Sequence, residues 1–187
     1  MKILTGRLKG RPIPFKPNPH LRPTSDKARK AIFDMLQGSL EEKSVLDLFA
    51  GTGAVGFEAL SNGAAQVTFV EKDKRQCEKI QDLIDRLDVS QQAQVETRDA
   101  LDAVRYFSAA GIFFDIIFMD PPYEKDLGQK ALCLIAESKL THEQSLIFFE
   151  SRKNEPLPKT IGAFKIIREK TYGDSKITLY AHAAQRE

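Results

Sequence analysis

The chain of 187 residues lacks the features that mark membrane and disulfide-rich proteins. Its longest apolar stretch, residues 111–119, is interrupted by Asp115 and is too short to span a bilayer. The amino terminus carries no apolar signal core, so we expect a cytoplasmic protein. Only two cysteines occur, Cys77 and Cys133; they lie far apart without the spacing of a metal site, which predicts reduced packing residues and no metal.

The net charge is small, +2, but it is unevenly distributed. Residues 1–30 contain nine Lys or Arg and a single acid, giving +8, so the other 157 residues sum to −6. A basic segment attached to a mildly acidic body suggests a polyanionic partner such as nucleic acid. A solvated tail would give the same pattern, and charge alone does not separate the two.

The first 23 residues are predicted to form a basic arm or a hairpin, separate from a domain over residues 24–187. Five prolines exclude a long helix from this arm: Pro12, Pro14, Pro17, Pro19 and Pro23. Thr24 or Ser25 then suits a helix N-cap, with Asp26 in the first turn, and Gly38 can end that helix.

From Ser44 onward, apolar strands alternate with amphipathic helices, which predicts an α/β fold with a mostly parallel sheet covered by helices on both faces. The last two strands have no helix between them and should pair antiparallel. The seven predicted strands cover residues 45–49, 67–70, 95–98, 114–119, 145–149, 164–168 and 176–180. The helices that alternate with them cover residues 54–62, 73–87, 100–110 and 127–138.

A glycine-rich loop follows the first of these strands. Its sequence, Gly51-Thr52-Gly53-Ala54-Val55-Gly56, stands between a strand and a helix, and Glu71 ends the next strand twenty residues after Gly51. Glycines allow a sharp turn and close approach of a ligand, and an acid at this second strand end can accept hydrogen bonds from ribose hydroxyls. The pattern therefore predicts a nucleotide-type cofactor.

The loop alone fits both NAD and S-adenosylmethionine (SAM). Asp47, just before the glycines, favours SAM because its charge suits the cationic methionine part, whereas NAD needs a helix N-terminus facing a pyrophosphate. Asp99 is placed to accept from an adenine amino group, with Ala100 beside it. The full predicted cofactor set is Asp47, Phe49, Gly51, Thr52, Gly53, Glu71, Lys72, Asp99 and Ala100.

The tetrapeptide Asp120-Pro121-Pro122-Tyr123 follows the fourth strand and is the predicted catalytic element. A nucleobase amino group is a poor nucleophile because its lone pair is delocalised into the ring. The Asp120 carboxylate and the Pro121 carbonyl can accept its two N–H bonds and direct the lone pair at a methyl donor. Prolines have no N–H to compete, and Tyr123 can stack on the base.

These motifs resemble the RsmD-type 16S rRNA guanine-N2 methyltransferases. The resemblance extends over nearly the whole chain, through Leu21-Arg22-Pro23-Thr24-Ser25-Asp26, the loop after Asp47, Glu71, the tetrapeptide and Tyr172-Gly173-Asp174. It implies a class I, Rossmann-like methyltransferase sheet, SAM as donor with S-adenosylhomocysteine as product, and a guanine of small-subunit rRNA as acceptor. It also implies that the substrate is a partly assembled subunit. Arg98 departs from the family, in which many relatives carry Gly before the adenine-binding acid.

The basic arm and the following helix supply the predicted RNA contacts, which would position phosphates without specifying sequence. We expect the protein to act as a monomer. The predicted RNA-binding set is Arg7, Lys9, Arg11, Arg22, Thr24, Lys27, Arg29 and Lys30, with Lys16 as a further phosphate contact.

Three other functions remain open at this point. The tetrapeptide also occurs in DNA adenine-N6 and cytosine-N4 methyltransferases, although no sizeable target-recognition segment is present here. The glycine loop with Glu71 also fits an NAD-dependent oxidoreductase. A non-catalytic RNA-binding module could have kept the fold, but the intact Asp120 and Tyr123 argue against that.

Overall fold

A computed structural model describes residues 1–15, 25–36, 40–122 and 126–184 of the chain. Within these residues, helices alternate with the first five strands, as the sequence predicts. The helices are α1 (Asp26–Leu36), α2 (Ala54–Ser61), α3 (Lys74–Arg86), α4 (Ala100–Ala109) and α5 (Leu127–Glu137). The strands are β1 (Ser44–Asp47), β2 (Gln66–Glu71), β3 (Ala93–Thr97), β4 (Ile116–Met119), β5 (Leu146–Arg152), β6 (Thr160–Ile161), β7 (Phe164–Tyr172) and β8 (Ser175–His182).

The strands form one sheet in the order β3-β2-β1-β4-β5-β8-β7-β6. Strands β1 to β5 run parallel, whereas β8 is antiparallel to both of its neighbours, β5 and β7. The chain builds outward from β1 to β3 and then returns to β4 on the other side of β1. The loops after β1 and β4 therefore diverge above the sheet, at the position where ligands bind in such folds.

Each face of the sheet is covered by its own set of helices. On the first, here called the α1 face, α1, α2 and α3 pack against strand residues such as Phe69, Phe118 and Leu179. On the second, the α4 face, α4 and α5 pack against residues such as Phe149 and Tyr180. Two apolar layers around a central sheet explain why β1 and β4 are almost continuously buried.

The predicted α/β class, the parallel strands and the antiparallel last strand are confirmed. The sheet has eight strands in the described residues instead of seven, because Thr160–Ile161 pairs briefly with the start of β7. Two residues are too few to show a hydrophobic period, so this strand leaves no signal in the sequence. Ser25 supplies the N-cap of α1, accepting a hydrogen bond from the Ala28 amide at 3.2 Å; Thr24 and Gly38 lie outside the described residues.

The first thirteen residues form a hairpin. The Ile3 amide donates to the Arg11 carbonyl at 3.0 Å, and the Ile13 amide donates to the Met1 carbonyl at 2.9 Å. Ile3 and Ile13 are buried in the same core as α1 and α2. The hairpin thus shares its core with the α1 face, while the division of the chain at residue 23 stays a prediction.

A buried carboxylate attaches this hairpin to α2. Glu58, only 1% exposed, accepts hydrogen bonds from the amide of Leu4 and from both the amide and the hydroxyl of Thr5, at 2.6–3.1 Å. Just below on α2, the Ser61 hydroxyl accepts from the Leu8 amide at 2.9 Å. A buried anion is tolerated here because several donors converge on it.

We expect Glu58→Gln to loosen the hairpin, because an amide presents one acceptor oxygen and brings an unmatched NH₂ group to the same donors. The free energy of unfolding should fall by about 2 kcal/mol, the range for hydrogen bonds to a buried charge. Urea unfolding would measure it, and hydrogen exchange at the Leu4 and Thr5 amides should accelerate. Glu78→Gln, on the exposed side of α3, is the control; equal stability of the two variants would contradict the role given to Glu58.

Candidate active site

Four acidic residues stand at the carboxyl ends of four adjacent strands. Asp47 ends β1, Glu71 ends β2, Asp99 follows β3, and Asp120 follows β4. Because these strands are parallel neighbours, all four acids lie along one edge of the sheet, here called the carboxyl edge. The structure thus brings the predicted cofactor acids and the predicted catalytic acid to the same side of the molecule.

The glycine loop turns at this edge as predicted. Gly51 and Gly53 adopt positive φ angles of 53° and 74°, which L side chains rarely take. Gly56 has a different role: a Cβ atom there would lie 2.2 Å from the Phe69 ring, so this glycine allows α2 to pack closely on β2. The first two glycines shape the turn, and the third fixes the helix against the sheet.

Asp47 is the most strongly perturbed acid of the site. It is 4% exposed, and its Oδ2 atom accepts a hydrogen bond from the Gly56 amide at 3.0 Å. Burial raises the pKa of Asp47 to about 7; the Gly56 amide opposes this shift, while the negative charge of Glu71 adds to it. A carboxyl group that ionises only near neutrality gains most from a cationic ligand.

Asp47→Asn tests this pKa through the stability of the ligand-free protein. The folded state holds the Asp47 proton up to about pH 7, whereas the unfolded chain releases it near the ordinary pKa of 3.8. Folding stability contributed at this site is therefore present below pH 3.8 and is lost as the pH rises through 7. The asparagine side chain has no proton to lose and still offers an oxygen to the Gly56 amide.

We expect the asparagine variant to be more stable than the wild type at about pH 8, by an amount on the order of a few kcal/mol. The difference should shrink as the pH falls toward about 4. Thermal unfolding across this range, with Asp82→Asn on exposed α3 as the control, provides the measurement. A difference that does not change with pH would show that Asp47 ionises normally.

Glu71 bridges the glycine loop and the start of α3. Its Oε2 atom accepts from the Gly51 amide at 2.9 Å, and its Oε1 atom accepts from the Asp73 amide at 2.9 Å. Both oxygens are thereby held at the strand end, and each keeps capacity for a further hydrogen bond. Lys72, beside it, is exposed, as are Asp73 and Lys74.

Asp99 caps α4 at the end of β3. Its Oδ1 atom accepts from the Leu101 amide at 2.9 Å, and its side chain is exposed. The adjoining Ala100 is buried. Arg98, the departure from the family, places its guanidinium 4.3 Å from the centre of the Tyr106 ring, two turns along α4. Its side chain is thus held by Tyr106 on α4.

Asp120 and Pro121 leave β4 side by side with the loop of β1. Asp120 is half-buried, Pro121 is buried and Pro122 is exposed, while Tyr123 lies outside the described residues. Of the other predicted cofactor residues, Phe49 and Thr52 are half-buried near the loop. The predicted catalytic residues and the cofactor loop therefore follow the ends of neighbouring strands at the switch point.

Gly128 supports the tetrapeptide and was not predicted from the sequence. A Cβ atom at this position in α5 would lie 2.6 Å from the Pro121 ring and 2.6 Å from the Phe149 ring. Only glycine lets α5 approach Pro121 this closely. The one signal in the sequence is a glycine inside a predicted helix, where it is normally unfavourable.

We expect Gly128→Ala to reduce stability by about 1–3 kcal/mol, the usual cost of overpacking a core, although alanine is the better helix former. The added methyl group should also displace Pro121. Chemical denaturation would give the stability change, with Lys130→Ala on the exposed side of α5 as the control. A stabilised Gly128→Ala variant would show that Pro121 can move aside without lowering the free energy of unfolding.

The described members of the predicted RNA-binding set do not lie on one surface. The amide of Arg7 donates to the Ser61 carbonyl, and its guanidinium bonds to Gln92, just before β3. These partners lie at the amino ends of the strands, opposite the carboxyl edge. Lys9 and Arg11 are exposed on the same hairpin. Arg7 therefore lies on the side of the sheet away from Asp120.

Arg29 requires a correction. It is fully buried, and its Nη2 atom donates to the Lys2 carbonyl at 3.1 Å and to Asp26 at 2.7 Å. In this position it joins α1 to the hairpin and cannot reach a phosphate. The sequence alone does not show whether an arginine in α1 lies on the buried or on the exposed side of the helix. Lys27 and Lys30 are exposed on α1, whereas Lys16, Arg22 and Thr24 lie outside the described residues.

In the part of the chain that the structure describes, no three His, Cys, Asp or Glu side chains are grouped so that they could hold a metal ion. Among the described helices, none has the length and apolarity needed to cross a membrane.

Comparison with known proteins places this arrangement in a family. Residues 1–181 match the family described as "Conserved hypothetical protein 95". The chain is 34% identical to the ribosomal RNA small subunit methyltransferase D of Haemophilus influenzae, over 96% of this chain and 93% of that protein. It is 32% identical to the protein of the same name from Escherichia coli, over 100% and 92% of the two chains.

A solved structure agrees with these matches. The Escherichia coli protein yhhF superposes with a TM-score of 0.85 at 30% identity, covering 99% of this chain and 99% of the other. The fold class predicted from the sequence, that of the class I methyltransferases, is thereby confirmed over nearly the full length. The chain belongs to the RsmD family of methyltransferases.

Proposed function

We propose that the protein transfers a methyl group from SAM to the exocyclic N2 of a guanine in 16S rRNA. The observation that carries this proposal is that Asp120 and Pro121 directly follow β4, the parallel neighbour of β1, which carries the glycine loop at its own end. The relatives named as small-subunit rRNA methyltransferases support the choice of RNA. The choice of guanine rests on the family resemblance.

The residues along the carboxyl edge fit SAM. Asp47, buried with its pKa raised to about 7, suits the ammonium group of the methionine part, which would favour its ionised form. Glu71, held by the Gly51 and Asp73 amides, can accept from the ribose hydroxyls. Asp99 keeps its Oδ2 atom without a hydrogen bond among the described residues and can accept from the adenine amino group. When bound, SAM would supply an electrophilic methyl group.

The chain's own contribution to the reaction is to position the nucleophile. The Asp120 carboxylate and the Pro121 carbonyl would each accept one N–H bond of the guanine amino group, so that its lone pair points to the donor. The bound donor would supply its methyl group to this nitrogen, and Asp120 would accept the proton that the nitrogen loses. Tyr123 would stack on the base. Fixing both reactants in line accounts for most of the acceleration.

The proposed substrate is 16S rRNA within a partly assembled small subunit, and we propose that a cytoplasmic monomer acts on it. A DNA amino-methyltransferase would use the same tetrapeptide. Labelled SAM offered with small-subunit rRNA, with small subunits and with duplex DNA separates these substrates. An NAD-dependent oxidoreductase would instead show tight NAD binding without SAM binding in calorimetry.

Asp120→Ala tests the catalytic assignment. We expect methyl transfer to rRNA to fall by at least about a hundredfold, because the amino group loses its charged acceptor, while SAM affinity changes little. Transfer of labelled methyl and calorimetry with SAM give the two values, and Asp82→Ala on α3 is the control. Normal turnover by Asp120→Ala would exclude this mechanism.

Mass spectrometry of rRNA nucleosides from a strain lacking the protein should show one missing methylguanine.

A further inference from the structure

We propose that strand β7 presents a second RNA-contact surface, formed by Arg168, Lys170 and Tyr172 on the α1 face of the sheet. This inference rests on the proposed function, since it concerns how the same RNA substrate is held. The three residues are here called the β7 stripe. None of them belongs to the RNA-binding set predicted from the sequence.

The register of the sheet places the stripe on one face. Directly paired residues of neighbouring strands point to the same side. Arg168 pairs with Leu179, Lys170 with Ile177, and Tyr172 with Ser175. Leu179 and Ile177 belong to the core beneath α1, and Tyr172 packs against that core. Arg168 and Lys170 are exposed, whereas Tyr172 is half-buried.

A β-bulge creates this arrangement. Ile166 pairs with Tyr180 and Arg168 with Leu179, so two residues of β7 stand opposite one residue of β8. The extra residue, Ile167, is 48% exposed. Without the bulge, the alternation from Ile166 would bring residues 167, 169 and 171 to the α1 face instead. Bulges beside functional sites redirect side chains in this way.

The bulge also separates the charges of the strand. The acid of this segment, Glu169, pairs with Thr178 and points to the opposite face, where it contacts Lys176 at 3.2 Å. The α1 face of β7 thus carries two cations and an aromatic ring in alternate positions. Charged residues and a bulge also protect an open sheet edge, but edge protection does not require cations and acid to be segregated.

The stripe lies within reach of the proposed reaction centre. Met119, Phe149, Thr178 and Glu169 form one row across β4, β5, β8 and β7. One position further along, Asp120 and Lys170 are three strand spacings apart, roughly 14 Å at the usual 4.8 Å per spacing. A base held at Asp120 would leave its neighbouring nucleotides along the adjacent ends of β5, β8 and β7, beside α1. Cations there suit their phosphates, and Tyr172 suits a stacked base.

Helix α1 lies next to this surface. It packs on β8, the strand next to β7, and its Lys27 and Lys30 are exposed. Of the acids on this helix, Asp26 is paired with the buried Arg29, while Asp34 is exposed in the last turn of the helix. The cations of α1 and β7 together favour a polyanion running from the carboxyl edge over the α1 face.

The double variant Arg168→Gln/Lys170→Gln tests the stripe. With small-subunit rRNA and with small subunits from a strain lacking the protein, we expect KM to rise roughly tenfold or more near 0.15 M salt. The slope of log affinity against log salt should decrease in magnitude by about 1.4–1.8, the loss of two phosphate contacts. SAM affinity, and kcat at saturating RNA, should remain near the wild-type values.

The matched control is Lys79→Gln/Arg86→Gln, which removes two exposed cations from α3. It should leave the RNA affinity and the salt slope unchanged. A β7 variant with the wild-type KM and the wild-type salt slope would overturn the proposal. A variant that self-associates but binds RNA normally would also overturn it, because the cations would then serve only to protect the open edge of the sheet. If the wild-type protein itself methylates no rRNA, the proposed function fails instead, and the two failures are thus distinguishable.

Discussion

The hydrogen bond from the Gly56 amide to the buried Asp47 carboxylate is the contact on which the rest of the site depends. It joins the end of β1 to the first turn of α2 and so fixes both ends of the glycine loop. The loop can close because Gly56 lets α2 rest on Phe69 of β2. Glu71, at the end of β2, then reaches back to the Gly51 amide. Asp47, the close packing of α2 and Glu71 together fix the geometry of the glycine loop.

The burial of Asp47 destabilises its ionised form and so raises its pKa. An acid whose pKa is raised to about 7 by burial is held largely in its neutral form below neutrality, because one backbone amide does not replace the water it has lost. A protein without a cationic ligand would gain stability from an amide at this position. Keeping a carboxyl group there favours ligands that bring a positive charge, and a sulfonium amino acid brings two. In the proposed function, the stability lost at Asp47 would be offset by stronger binding of a cationic ligand.

Much of the fold could be predicted from the sequence, since alternating apolar strands and amphipathic helices have strong periods. The placement of Asp47, Glu71, Asp99 and Asp120 at strand ends followed from the same pattern. Contacts between distant segments could not be predicted. Glu58 reads as an ordinary helix acid, yet it is buried under the Leu4 and Thr5 amides. Gly128 reads as a weak point of α5, yet it makes room for Pro121.

The positions of the charged side chains in the structure are the feature that the sequence predicts least well. The excess of cations in residues 1–30 suggests one basic arm, but the structure directs Arg7 to the amino edge of the sheet and Arg29 into the core. At the other end of the chain, residues 165–170 hold three cations and one acid and look like an ordinary polar strand. A one-residue bulge sorts that segment, turning Arg168 and Lys170 to one face and Glu169 to the other. Net charge along a sequence therefore does not locate an RNA surface in a sheet protein, because strand register decides which side chains share a face.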